Sequence, residues 1–140
     1  MSYDLMVFSL DNVPTGRSEF LEWFDAQTEG GEDHSYNDPG VTAQPLRDLF
    51  NDLISTFPPM NGPYAVGDLP EDTASLADYN IGKNFIYIAF SWDKADEAYA
   101  KLHDLSAKHK VGFFDVSSDT GAVWMPGSDG ELKLAHEEQL

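Results

Sequence analysis

The sequence contains no cysteine among its 140 residues, which excludes disulfide bonds, thiolate metal sites and cysteine nucleophiles. Lysine and arginine are also scarce: eight of them stand against 25 aspartates and glutamates, for a formal net charge of −17. Such a chain repels a phosphate backbone, so nucleic acid is excluded as a partner. It has neither a long apolar run nor the basic start of a signal peptide, which predicts a cytoplasmic protein without a membrane partner.

The negative charge is concentrated in the first half of the chain. Residues 1–82 carry 15 acidic side chains against only Arg17 and Arg47, whereas residues 83–140 carry 10 against 6. Two interpretations are open. The acidity either keeps the protein soluble or attracts a basic protein surface.

Hydrophobic residues make up 41% of the chain and aromatic residues 13%, enough for one core, so residues 1–140 are predicted to form a single domain. Three helices are predicted. The first is capped by Thr15 or Ser18, buries Phe20, Leu21 and Phe24, and ends near residues 30–31. The second runs from Thr42 to the prolines at 58–59, and the third from a cap at Asp93 to Gly112.

Strand patterns occupy residues 3–8, 79–81, 85–90, 113–116 and 122–125. Residues 131–140 are either a frayed helix or an edge strand. The resulting order predicts an α+β, ferredoxin-like mixed sheet of about five strands, with two helices in its first crossover. Helices would cover one face, and the other would be polar, covered by connections, or the interface of a homodimer.

Five segments resemble an uncharacterised family of small acidic bacterial proteins. They are residues 2–8, SYDLMVF; 32–39, EDHSYNDP; 56–63, TFPPMNGP; 78–82, DYNIG; and 112–118, GFFDVSS. The likeness covers most of the chain. No activity is established for that family, so the resemblance implies no catalytic residues. By analogy with small acidic immunity partners of bacterial toxins, it favours protein binding.

The loop that follows the first helix holds the most reactive group of side chains. Glu32, Asp33, His34, Tyr36 and Asp38 lie within a few residues of one another. His34 with Asp33 or Asp38 could hold a metal, but no second histidine-rich segment completes a ligand set, and no metal or cofactor is predicted. His34 could also activate Ser117 or Ser118, although turn chemistry explains these serines better.

Two further segments could contribute to a binding surface. Residues 56–63 are rigid and apolar, and they include Met60 and Asn61; their simpler role is to end the second helix. Trp23 lies off the apolar line of its helix and would face a groove, unless it packs beneath a loop. His103, His109 and His136 are expected to be solvated.

The preferred hypothesis is a protein-binding module whose acidic first half binds a basic protein, with an immunity-type inhibitor of a basic toxin or nuclease as its most concrete form. No catalytic residue is assigned. The predicted binding residues are Trp23, Glu29, Glu32, Asp33, His34, Tyr36, Asp38, Met60, Asn61 and Tyr64. The alternative is a small-molecule-binding protein or hydrolase-like enzyme with a pocket around His34, to which Asp115 would also contribute.

Overall fold

The computed structural model describes residues 3–10, 13–14, 16–28, 34–35, 42–57, 76–82, 84–118, 121–127 and 129–137. The strands and helices follow in the order β1 (Tyr3–Phe8), α1 (Arg17–Thr28), β2 (His34–Ser35), α2 (Gln44–Leu53), β3 (Asp78–Gly82), β4 (Phe85–Phe90), α3 (Ala95–His109), β5 (Gly112–Phe114), β6 (Val123–Pro126) and β7 (Leu132–His136). A short 3-10 helix, Trp92–Lys94, leads into α3.

One sheet contains all seven strands in the order β2-β3-β4-β1-β5-β6-β7, and the pairs are antiparallel. The α+β class and the three helices are confirmed. The expected mixed sheet of about five strands is wrong in two respects, since the ladders are antiparallel and two further edge strands are present, of which β7 confirms the edge-strand alternative for residues 131–140. These are β2, of two residues, and β7, which is largely exposed, and neither has the apolar pattern of an interior strand.

The central strand β1 is buried from both sides. Leu5 and Val7 join one hydrophobic cluster, while Met6 and Phe8 join another, and all four side chains are inaccessible to solvent. Successive residues of a strand point to opposite faces of the sheet. We call the side of Leu5 and Val7 the first face and the side of Met6 and Phe8 the second face.

Helices α2 and α3 cover the first face. The buried residues of α2 recur at the spacing of one helical side, and those of α3 do the same. They are Leu46, Leu49, Phe50 and Leu53 in α2, and Ala98, Leu102, Leu105 and Ser106 in α3. At the carboxyl ends of the two helices, the Asp52 carboxylate accepts from Lys108 Nζ at 3.0 Å and contacts His109 Nε2 at 2.7 Å. These bonds hold the pKa of Asp52 below its usual value.

Helix α1 covers the second face, which corrects the expectation that helices lie on one face only. The Phe20 ring is fully buried and lies 5.3 Å from the Phe8 ring and 5.2 Å from the Phe114 ring, between centroids. The second face is therefore neither polar nor bare. The reason is that α1 follows β1 directly and has its own aromatic side to bury. Homodimerisation stays a prediction, but it loses the exposed face that supported it.

Several local boundaries differ from the predicted ones. Ser18 lies inside α1 instead of capping it, and Leu21, expected in the core, is 36% exposed. The Ser91 hydroxyl, not Asp93, caps the turn before α3 by accepting from the Asp93 N–H. Helix α3 ends when Lys110 adopts a left-handed conformation.

Gly112 belongs to strand β5 instead of ending the helix. It lies opposite Phe8 in the sheet, and a Cβ added to it would meet the Phe8 ring at 2.2 Å. The glycine therefore provides the space in which this ring packs on the second face.

The buried side and the exposed side of α1 provide a paired test. Phe20→Ala should lower the free energy of unfolding by about 3–5 kcal/mol, because it removes a fully buried ring that joins α1 to the sheet. Its neighbour Leu21→Ala should change it by less than about 0.5 kcal/mol, since Leu21 faces outward. Urea denaturation measures both. Equal losses would contradict the position of α1.

Candidate functional site

The structure describes only two of the predicted binding residues. Trp23 is described with its side chain, and His34 is described through its backbone, which pairs with Gly82 at the sheet edge. The remaining residues lie outside the described part of the chain: Glu29, Glu32, Asp33, Tyr36, Asp38, Met60, Asn61 and Tyr64. Their grouping into one surface stays a prediction.

Trp23 packs into the second-face cluster. Its ring lies 5.8 Å from Phe8 and 5.6 Å from Phe20, between centroids, and the side chain is partly buried. Asp115, which was also assigned to the pocket around His34, lies close to Tyr3 of the first-face cluster instead. Trp23 and Asp115 therefore contact opposite faces of the sheet.

The two candidate serine nucleophiles form turn hydrogen bonds. Ser117 Oγ accepts from the Asp4 N–H at 2.7 Å, and the Ser117 N–H donates to the Asp4 carbonyl. Ser118 Oγ donates to the Asp115 carbonyl and accepts from the Gly121 N–H. The Ser117 hydroxyl thus holds the loop between β5 and β6 against β1, and the Ser118 hydroxyl closes the turn within that loop.

His103, His109 and His136 are packed rather than solvated, which corrects the expectation from sequence. His109 contacts Asp52, and the His103 ring lies between Phe113, 5.9 Å away, and Trp124, 5.6 Å away. His136 lies against Phe20. Among the described residues, no three acidic or histidine side chains converge to hold a metal ion. None of the described helices is long and apolar enough to cross a membrane.

A row of aromatic side chains runs along the outer side of α3 on the first face. Tyr99 and His103 of α3 stack 6.0 Å apart, and both meet Phe113 edge-on. His103 continues the row to Trp124. At its other end the Tyr3 ring packs 5.1 Å from the Trp92 ring. We call this row the aromatic seam, consisting of Tyr3, Trp92, Tyr99, His103, Phe113 and Trp124.

Asp115 lies near both tyrosines of the seam. Burial raises the pKa of the Tyr3 and Tyr99 phenols, and the charge of the nearby Asp115 carboxylate raises both further. Burial also raises the pKa of Asp115 itself, and the neighbouring Tyr3 hydroxyl opposes this only in part. Asp115 Oδ1 is buried and has no hydrogen-bond partner in the described part of the chain.

The Trp92 end of the seam is open to solvent and negatively charged. The Trp92 side chain is 49% exposed, the largest fraction among the exposed large hydrophobic side chains of the described residues. Three exposed acidic residues follow it in the sequence: Asp93, Asp96 and Glu97. Burial raises the pKa of the Tyr3 phenol, and the charge of Asp96 raises it further. An exposed indole beside carboxylates is suited to hold a cation or an apolar group of a partner.

Sequence reasoning missed the seam because its residues come from five separate segments. Tyr3 and Trp92 are 89 positions apart, and only the Tyr99–His103 spacing signals a shared helical side. A large aromatic residue that is followed closely by acidic residues, as Trp92 is, is a local signal that could have identified this position.

A second polar site lies at the edge of the second face. The register of β6 and β7 shifts between Val123 and Trp124, and this irregularity brings His136 opposite Val123 and against Phe20. His136 Nδ1 lies 3.3 Å from an Arg17 nitrogen that also donates to the Gly121 carbonyl. Burial, with Arg17 nearby, lowers the pKa of His136.

Comparison with protein-family models, with curated proteins and with solved structures found no match. The function is therefore argued from the residues of this chain, namely the aromatic seam and the charges around it.

Replacing Asp115 should stabilise the protein. Its folded-state pKa is raised, so the ionised form opposes folding at neutral pH, and stability is gained as pH falls through that raised pKa. Asp115→Asn should raise the urea midpoint at pH 7, and the gain should shrink in acid. Asp104→Asn, which removes the same charge from an exposed position on α3, is the control. A destabilised Asp115→Asn would show that the carboxylate supports the fold.

His136 should make the protein sensitive to mild acid. Because its folded-state pKa is lowered, the unfolded chain takes up the proton first, and stability is lost as pH falls below the ordinary histidine value. The difference in free energy of unfolding between the native chain and His136→Gln should therefore decline between pH 7 and pH 5. Urea titrations across that range measure it, and a constant difference would refute this role.

Proposed function

We propose that the chain is a cytoplasmic protein-binding module that binds a basic protein surface. The supporting observation is the half-exposed Trp92, which stands at the open end of the aromatic seam and is followed by the exposed residues Asp93, Asp96 and Glu97. Aromatic residues supply much of the binding energy at protein interfaces, and surrounding charges select the partner. A surface with both features fits an apolar patch that is bordered by cations.

The first half of the chain supports the same interpretation. Glu19, Glu22 and Asp25 are exposed along α1, and Leu21 is exposed among them. Both cations of this half form hydrogen bonds with backbone carbonyls, Arg17 with Gly121 and Arg47 with Thr42. The outer side of α1 is therefore acidic, and its carboxylates contribute to the net charge of −17. Such a field accelerates encounter with a basic partner and is weakened by salt.

The most concrete form of this proposal is an immunity-type inhibitor that covers the basic site of a bacterial toxin or nuclease. A nuclease must attract phosphate, so its active site is cationic, and an acidic protein can occupy it by charge complementarity. In this form the predicted acidic residues of the first half, Glu29, Glu32, Asp33 and Asp38, would also take part in binding.

We also propose that the middle of the sheet is a ferredoxin-like core. Strands β3, β4, β1 and β5 are adjacent in that order, and α2 and α3 lie on one face across them. Under this interpretation α1, β2, β6 and β7 are additions, and α1 covers the face that the core leaves open. The additions carry the acidic outer side of α1 and the Trp124 end of the seam.

The proposal predicts salt-dependent capture of one basic protein. The purified chain is immobilised and exposed to lysate of its source cells at about 50 mM and about 500 mM salt, concentrations that bracket strong and weak screening. We expect a basic protein to bind at low salt and to be released at high salt. Mixing the identified partner with the chain in a calorimeter should then give a defined stoichiometry. Inhibition of its activity would support the immunity-type form.

Matched variants distinguish specific binding from general acidity. The triple variant Glu19→Gln, Glu22→Gln, Asp25→Asn removes three charges from α1, and Asp104→Asn, Asp129→Asn, Glu131→Gln removes three from exposed positions elsewhere. The first variant should slow association with the partner more than the second. Capture of no basic protein at either salt concentration would refute the proposal.

A further inference from the structure

We propose that Arg17 and His136 form an acid-sensitive latch between the start of α1 and the end of β7. Protonation of His136 would break the contact and free the end of β7, while the rest of the sheet stays folded. This inference goes beyond the proposed function, because it concerns a conformational change of the edge strand and needs no partner.

One guanidinium joins three segments at this edge of the second face. Arg17 is the first residue of α1, and its Nη1 donates to the Gly121 carbonyl at 2.8 Å, in the turn that leads into β6. The same nitrogen lies 3.3 Å from Nδ1 of His136, the last residue of β7. The contact therefore ties the start of α1 to the end of the strand at the edge of the sheet.

The chemistry of arginine fixes the position of the proton on His136. A guanidinium has only donors and stays charged, so Nδ1 of His136 must accept, and the neutral ring carries its proton on Nε2. Nε2 is itself buried, without a partner among the described residues. A second proton would have to occupy Nδ1, where it would point at the N–H of Arg17 and place two positive charges side by side.

The surroundings of His136 do not compensate for such a charge. The Phe20 ring of α1 lies 5.1 Å from the His136 ring, between centroids, and Val123 is opposite His136 on β6. Arg17 is the charged residue that faces it from α1, and no carboxylate of the described residues pairs with it. Burial, and then Arg17, lower the pKa of His136. Of the charged residues in its own hairpin, Glu137 is exposed, and Lys133 pairs with Asp129 and Glu131.

The structure also indicates which part of β7 the latch retains. At the start of the strand Leu132 is buried, and the Gly127 N–H donates to the Glu131 carbonyl at 2.8 Å. Towards the end, residues 133–135 are exposed, and the ladder to β6 contains a register shift. The end of this edge strand therefore depends on His136 more than its start does.

Native-state hydrogen exchange, followed by NMR at low urea concentrations, tests the latch. Below the ordinary histidine pKa, the protection of amides at the end of β7 should fall by up to about tenfold per pH unit, because the open form binds a proton that the closed form excludes. This exchange should hardly depend on urea, as expected for local opening. Amides of β1 should instead show the steep urea dependence of global unfolding.

Two variants separate His136 from the other histidines. His136→Gln keeps a side chain that can accept from Arg17 but does not titrate, so the protection of β7 should be the same at about pH 7 and about pH 5. His109→Gln replaces a histidine that contacts Asp52 between α2 and α3, and it should retain the acid response. An acid response in His136→Gln as large as that of the native chain would refute the latch.

The ring nitrogens of His136 provide a second readout, which requires no variant. Near neutral pH their nitrogen chemical shifts should show the proton on Nε2, and a proton on Nδ1 would contradict the contact with Arg17. Amides of β7 that exchange only together with those of β1, in neutral and in acidic solution alike, would show that no local opening occurs. Either result would overturn the proposal.

Discussion

Burial of β1 on both faces is the constraint on which the rest of the structure depends. Leu5 and Val7 need a cover on one side, and Met6 and Phe8 need one on the other. An interior strand of this kind must also be paired along both edges, and β4 and β5 supply those pairs. Helices α2 and α3 then cover the first face, and α1 covers the second. The arrangement of the sheet between two layers of helices thus follows from the burial of the six residues of β1.

The aromatic seam is a by-product of this arrangement. Helix α3 directs Leu102 and Leu105 into the core, and the adjacent side of the same helix carries Tyr99 and His103. The sheet extends past α3 through β6, so Trp124 meets His103 there. The seam is thus anchored by core residues at Tyr3 and Phe113 and reaches solvent at Trp92. A surface that rests on the core in this way is held in position before any partner arrives.

Asp115 illustrates how a site can oppose stability. A partly buried carboxylate whose Oδ1 has no partner among the described residues disfavours the folded state. Its neighbours Ser117 and Ser118 have the opposite role, since their hydroxyls bind backbone groups of the adjoining turn and of β1. The loop therefore supports one side chain that the fold itself does not require.

Local patterns predicted the elements whose burial is regular. The strands at Tyr3–Phe8 and Phe85–Phe90 matched the residues that form them, and the α2 stripe from Leu46 to Leu53 is buried as expected. The predictions were wrong where a residue's role depends on distant neighbours. Gly112 was predicted to end a helix, but it lies in a strand where the Phe8 ring occupies the space that a side chain would need. Leu21 was predicted to be buried, but α1 packs on the sheet through Phe20 and leaves Leu21 exposed.

The sequence by itself determined the charge, the absence of thiol chemistry, the α+β class and the three helices, because these depend on composition and on periodicity within a few turns. Only the tertiary structure decided which face α1 covers, that the ladders are antiparallel, and that Trp92 packs against Tyr3. These are contacts between segments far apart in the chain. No local spacing encodes them, because they form only when the sheet pairs distant strands such as β1 and β4.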